Sequence, residues 1–210
     1  MARVSGPLMS MDASGTVAGS ITFTKWKGRN VVRRHAIPSN PKSAKQVAVR
    51  SAMRFLSQAW SKISIAATPQ WQDLADATKI SPFNAFIQRN LRNFRDALMP
   101  VIAPQYTGAG DLETTQTVVA AGGVRSLSLT ITTSAYANDW GYVVYRKLGA
   151  APTGIWSEIC AVVPQSGSAD SVFNDTPLAA GVWHYKVLAF DNQGGKGTLT
   201  ADESDTVTDA

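Results

Sequence analysis

One cysteine, two histidines and no long apolar run set the first limits on this 210-residue chain. With Cys160 alone, neither an intrachain disulfide nor a thiolate metal cluster can form. Its neighbours Ile159, Ala161 and Val162 mark it as a small core residue rather than a reactive thiol. His35 and His184 belong to no His-x-x-x-His, Cys-x-x-Cys or acidic-loop spacing, so no metal and no cofactor are expected. No stretch approaches the ~18–20 apolar residues of a membrane span. The start, with Arg3 followed by Ser5, Gly6 and Pro7, lacks the ~7–15 apolar residues of a secretion signal. The expectation is synthesis in a cytosol and no membrane partner.

Patterns for catalysis are equally sparse. Asp73 and Asp76 can share a helix face, but they follow Thr68-Pro69 closely and suit a helix N-terminus better than acid–base work. Gly194-Gly195-Lys196-Gly197 is preceded by Asp191 and followed by no helix, so it is a hairpin loop and not a phosphate cradle. No serine sits in a nucleophile elbow. The chain is therefore not expected to be an enzyme.

What is abundant is charge of opposite sign in the two halves. Residues 1–104 hold 15 Lys/Arg against 4 Asp/Glu, a net of +11, and residues 105–210 hold 5 against 11, a net of −6. The period changes at the same place. Ile21–Trp26 and Asn30–Ile37 flank Lys27-Gly28-Arg29 as a β-hairpin does. Apolar residues at Ala44, Ala48, Ala52, Phe55, Leu56, Ala59, Trp60 and Ile63 then define one helix face, with Asn40 as N-cap and Pro41 at the first position. Thr68-Pro69 and Ser81-Pro82 open two more helices, and Arg89, Arg92 and Arg95 fall on the outer side of the last. Met99–Gly110, with two Pro and two Gly, reads as a linker from which a soluble fragment starting near 108 is expected. Strands are then expected at Leu112–Ala120, Ser126–Thr132, Trp140–Arg146, Trp156–Val163, Ser171–Phe173, Val182–Phe190 and Thr198–Val207, at sandwich spacing.

Asp175-Thr176-Pro177-Leu178, Gly181, Tyr185-Lys186-Val187-Leu188-Ala189-Phe190-Asp191 and Gly194 resemble the late strands of fibronectin type III and related immunoglobulin-like modules. The resemblance covers roughly 108–208. It implies that Tyr185 buries its ring and returns its hydroxyl to the backbone of the preceding corner, with Trp140 or Tyr142 as the large inner-face aromatic. The order of Gly-rich arm, basic hairpin, Asn40-Pro41, Gln46, Arg50, Trp71, Leu74-Ala75, Ser81-Pro82-Phe83-Asn84-Ala85-Phe86 and Asn90 resembles small virion structural proteins of tailed bacteriophages and prophages. The expected fold is α+β in two domains, an N-terminal β-hairpin plus three-helix unit and a C-terminal seven-stranded immunoglobulin-like β-sandwich. Its parts are an arm at 1–20, a basic docking domain at 21–104 and the sandwich at 105–210.

The one functional constellation is basic. Lys25, Lys27, Arg29, Arg33 and Arg34 crowd a hairpin that also carries Trp26, and Lys42 and Lys45 follow. Such a ribbon can meet an acidic protein surface or neutralise phosphates. The protein interface is favoured, because an appended acidic sandwich is unusual in a compact nucleic-acid reader. The resemblance implies a virion location, capsid, neck or tail proteins as partners, and symmetric copies whose opposite-sign halves can pair head-to-tail. The alternatives are a DNA-associated protein using the hairpin and a surface carbohydrate-binding module.

Overall fold

The structure, a computed structural model, describes residues 2–3, 14–37, 39–63, 68–106, 116–132, 139–166 and 169–209. Two compact units follow one another, Met1–Pro41 and Lys42–Ala210. The boundary does not lie in Met99–Gly110, and the reason is in the packing of the second unit.

The first unit is a four-stranded antiparallel sheet in the order β1-β4-β3-β2, from β1 (Ala2–Arg3), β2 (Gly15–Val17), β3 (Ile21–Trp26) and β4 (Arg29–Arg34). The expected hairpin is β3–β4. Its turn residues Lys27 and Gly28 have φ of 47° and 76°, the left-handed pair that a two-residue turn between twisted strands demands. The segment expected to be an arm supplies both flanking strands where it is described; 4–13 lie outside the described residues. A two-stranded ribbon leaves two open backbone edges, and pairing with β1 and β2 satisfies part of both.

In the second unit α1 (Ala44–Trp60), α2 (Thr68–Thr78) and α3 (Pro82–Arg95) precede a four-stranded sheet and a three-stranded sheet. The N-cap of α1 is Ser43, not Asn40; Lys42, at φ 47°, cannot continue a helix from Pro41. Ser81 caps α3 as expected, its Oγ accepting from the Asn84 N–H at 3.2 Å with Pro82 next in line. The four-stranded sheet runs β11 (Glu203–Val207), β10 (Gly181–Asp191), β7 (Asp139–Leu148), β8 (Ile159–Pro164), and the three-stranded one β5 (Val118–Gly123), β6 (Ser126–Ile131), β9 (Ser171–Asp175). A 3-10 turn, Trp156–Glu158, occupies the start of the strand expected at Trp156–Val163. Residues 112–115 of the expected first strand lie outside the described residues. The two sheets face each other across an apolar interior, the architecture of an immunoglobulin-like sandwich.

The four-stranded sheet is buried on both faces. Tyr142, Val144, Tyr185, Val187 and Ala189 point between the sheets. Val143, Tyr145, Leu188 and Phe190 point the other way, into a core shared with Phe55, Leu56, Phe86 and Phe94 of the helices. A bulge in β8 opposite Val144/Tyr145 breaks its alternation, so Ile159 and Val162, three apart, both join the helix side. The Phe55 ring meets Phe190 edge-on at 5.4 Å and Trp140 at the same distance. That approach needs Gly141: a Cβ there would stand 2.5 Å from the Val163 carbonyl oxygen and 3.2 Å from both phenyl rings. Tyr142 is thus the inner-face aromatic, and Trp140 serves the helices.

The expected linker begins as core. Met99, Val101 and Ala103 are buried. The Asn90 amide donates to the Val101 carbonyl at 3.0 Å and accepts from the Val101 N–H at 2.8 Å. The Trp71 indole donates to the Ile102 carbonyl at 2.8 Å. Only 107–110 of the expected linker lie outside the described residues. Asn90→Ala is expected to cost about 2–4 kcal/mol, because two buried backbone groups lose partners at about 1–2 kcal/mol each, the lower part of the usual range. Urea unfolding of the full chain measures it, and an unchanged midpoint would mean that other contacts hold the segment.

A polar network sits between the sheets. Arg146 on β7 donates through Nη1 to both carboxylate oxygens of Asp175 on β9, each at 2.6 Å, and the Tyr185 hydroxyl on β10 donates to Asp175 Oδ2 at 2.9 Å. The hydroxyl therefore reaches a side chain from the opposite sheet, where the resemblance implied a backbone acceptor. Burial and then the Asp175 charge push the Tyr185 pKa far up. Burial, with the same carboxylate, does so for the Cys160 thiol, which is inert at neutral pH as its apolar neighbours imply.

Candidate functional site: a basic sheet

Strand pairing places Phe23 opposite Val32, Ile21 opposite Arg34, Lys25 opposite Asn30 and Val17 opposite Ile21. One face of the first unit therefore carries Val17, Ile21, Phe23 and Val32, ended by Lys25 and Arg34. The other carries Thr16, Thr22, Thr24, Val31 and Arg33, with Trp26 and Arg29 at the turn. The basic residues expected to crowd one hairpin are thus divided between its faces, and the turn residue Lys27 stands where the two meet. Its ammonium lies 5.0 Å from the centre of the Trp26 ring.

The sheet buries little. Val31 is its one buried hydrophobic residue among the described residues, while Trp26 is 59% exposed and Ile21 44%. Lys25, Lys27, Arg29, Arg33 and Arg34 are all exposed. The first unit has six Lys/Arg and a single Asp, a net of +5. The second has 14 of each sign, so the whole excess of the chain sits on Met1–Pro41. Lys42 and Lys45, grouped with the hairpin from sequence, belong to the second unit.

His35 follows β4, with Nδ1 3.2 Å from the Thr22 hydroxyl. His184 pairs with Asp202 at 2.7 Å on the second unit. Asp73 and Asp76 are exposed on α2, where Asp76 accepts from the Gln72 amide at 2.6 Å. The feature missed from sequence is the apolar half of the sheet. The alternation Ile21, Phe23 against Thr22, Thr24 was there to read, but Val17 and Gly15 lie in a Gly/Ala/Ser-rich stretch that hides a strand.

No protein-family model matches the chain, and no curated protein does. Among solved structures it is similar to the FN1-FN3 domains of chicken CNTN1, at 20% identity over 49% of this chain and 36% of that one, with a TM-score of 0.37. A Fn3-like protein from Clostridium thermocellum gives 16% identity, 49% and 97% coverage and 0.33. A beta-1,2-glucanase from Parabacteroides distasonis gives 16%, 52% and 14%, and 0.38. None of these three TM-scores reaches 0.5, and the sandwich assignment rests on the strand order and two-sheet packing given above.

Proposed function

We propose that this chain is a non-catalytic structural component of a tailed-phage virion, attached to capsid, neck or tail proteins through its basic N-terminal sheet. The second unit, read as a seven-stranded immunoglobulin-like module with its three helices, would project from the attachment point, in repeated copies. One observation carries the docking role: the entire net charge of the chain is concentrated on the small unit Met1–Pro41, whose sheet has Val31 as its one buried hydrophobic residue among the described residues. A sheet of that kind gains stability from a partner, and its exposed Trp26 amid cations suits an interface anchor. The virion setting rests on the sequence resemblance of the N-terminal half.

Replacing Lys25, Lys27, Arg29, Arg33 and Arg34 together with Gln is expected to leave the second unit folded and to remove the protein from purified particles. Each exposed pair is worth about 0–1 kcal/mol; five amount to about two to three decades in affinity. Raising salt should reproduce the loss for the native chain. Trp26→Ala should add a loss that salt does not reproduce. If the Gln variant enters particles normally but no longer binds duplex DNA, the sheet is a phosphate-binding ribbon and the docking role falls.

A further inference from the structure

The second unit has two sides of opposite charge. On one, the end strands β8 and β9 each have a single neighbouring strand, and α1 lies along β8. A groove of about 530 Å³ opens there, with Lys42, Arg50 and Arg54 on the helix side and Val162, Val172 and Phe173 on the strand side. No Asp or Glu occurs anywhere in α1. Of the carboxylates on the adjoining strand, Asp175 is taken up by Arg146 and Tyr185, and Asp170 stands just before β9. Lys42 and Arg54 are exposed, and Val172 is 55% exposed.

The opposite side ends in β11 and β5. Asp202, Glu203, Asp205 and Asp209 place four carboxylates within eight residues in and beside β11, of which Asp205 accepts from the Gly122 and Thr206 N–H groups, each at 2.7 Å. The cationic groups facing them are Arg125, in the β5–β6 connection, His184, which contacts Asp202, and Lys186, one residue beyond the Tyr185–Glu203 pair on β10. Val119 and Val124 at this side are each 58% exposed.

We propose that a second copy of this chain docks its β11/β5 side into the α1–β8–β9 groove of the first. Glu203 and Asp209 meet Lys42 and Arg54, and Val119 and Val124 cover Val172 and Phe173. Charge complementarity selects this occupant. The two patches differ, so the contact is heterologous, and each added copy presents a fresh groove and a fresh acidic side. Repetition then yields a ring if the rotation closes and an open chain if it does not. The idea rests on the repeated-copy part of the proposed function and is independent of the basic sheet.

The test is sedimentation velocity on the full chain across concentration and salt. The native protein should associate at low salt and dissociate as salt rises. Lys42→Glu with Arg54→Glu should weaken association about a hundredfold, and so should Glu203→Lys with Asp209→Lys, since like charges then face each other. Mixing the two variants should restore association, as should all four substitutions in one chain, and only folded protein can give that restoration. A native chain that stays monomeric up to about 1 mM at low salt overturns the proposal. So does either variant associating like the native chain, or a mixture that stays apart. The five-fold Gln variant of the basic sheet should self-associate normally while failing to enter particles, which separates this contact from docking.

Discussion

A fragment of residues 105–210 is expected to lack a cooperative unfolding transition and to aggregate, whereas 42–210 should unfold cooperatively. Without the helices, one whole face of the four-stranded sheet is bare: Val143, Tyr145, Ile159, Val162, Leu188 and Phe190. Fully burying such side chains is worth about 1.5–3 kcal/mol each, so the six amount to about 9–18 kcal/mol. A domain of this size has only about 5–15 kcal/mol of net stability. The segment Met99–Val101 would go too, although it is held to the loop after β10 by the Val101–Gln193 bridge and the Ile102 N–H to the Asn192 carbonyl. Chemical denaturation of the two fragments decides it. A 105–210 fragment with the same melting temperature as 42–210 would show that the sandwich stands alone and that the helices merely rest on it.

Removing the carboxylate between the sheets is expected to be the most damaging single change. Asp175→Ala should cost about 3–5 kcal/mol, the usual penalty for leaving a largely buried charge without its partner. Arg146 is then the problem: its side chain is only 23% exposed, with the guanidinium 5.1 Å from the centre of the Trp183 ring. Tyr185→Phe removes one bond of the same carboxylate and should cost about 1–2 kcal/mol. Because the three groups share one site, Asp175→Ala combined with Tyr185→Phe should cost less than the sum of the two. Thermal and urea unfolding of the single and double variants measure this. Strict additivity would mean that the Tyr185 hydroxyl contributes nothing through Asp175.

The strands of this protein were legible wherever one face alone is covered. Ser126–Ile131 alternates Ser, Leu, Ser, Leu, Thr, Ile, and in the structure its Leu and Ile residues are buried while its Ser and Thr residues are half-exposed. The strands covered on both faces carried a different sign that also stood in the sequence. Gly141-Tyr142-Val143-Val144-Tyr145 and Val187-Leu188-Ala189-Phe190 do not alternate at all, as strands sandwiched between two layers do not. Read in that way, they place a second layer over the sheet and assign the helices to it. The proline- and glycine-containing stretch after Leu98 misled for a related reason. Composition marks a chain reversal, but it cannot show that Asn90, eleven residues earlier, meets both backbone groups of Val101.

Local chemistry alone determines the elements here: the apolar stripe of α1, the Ser81-Pro82 cap, the Lys27-Gly28 turn and the concentration of positive charge before Pro41. These depend on backbone sterics and on residues at most four apart, which the order of amino acids states directly. Which elements share a core depends on contacts between residues far apart in the chain, such as Phe55 with Phe190 and Arg146 with Asp175. Packing thus made one unit of helices and sandwich, and strand register, with its period of two, divided the basic residues between opposite faces of the N-terminal sheet.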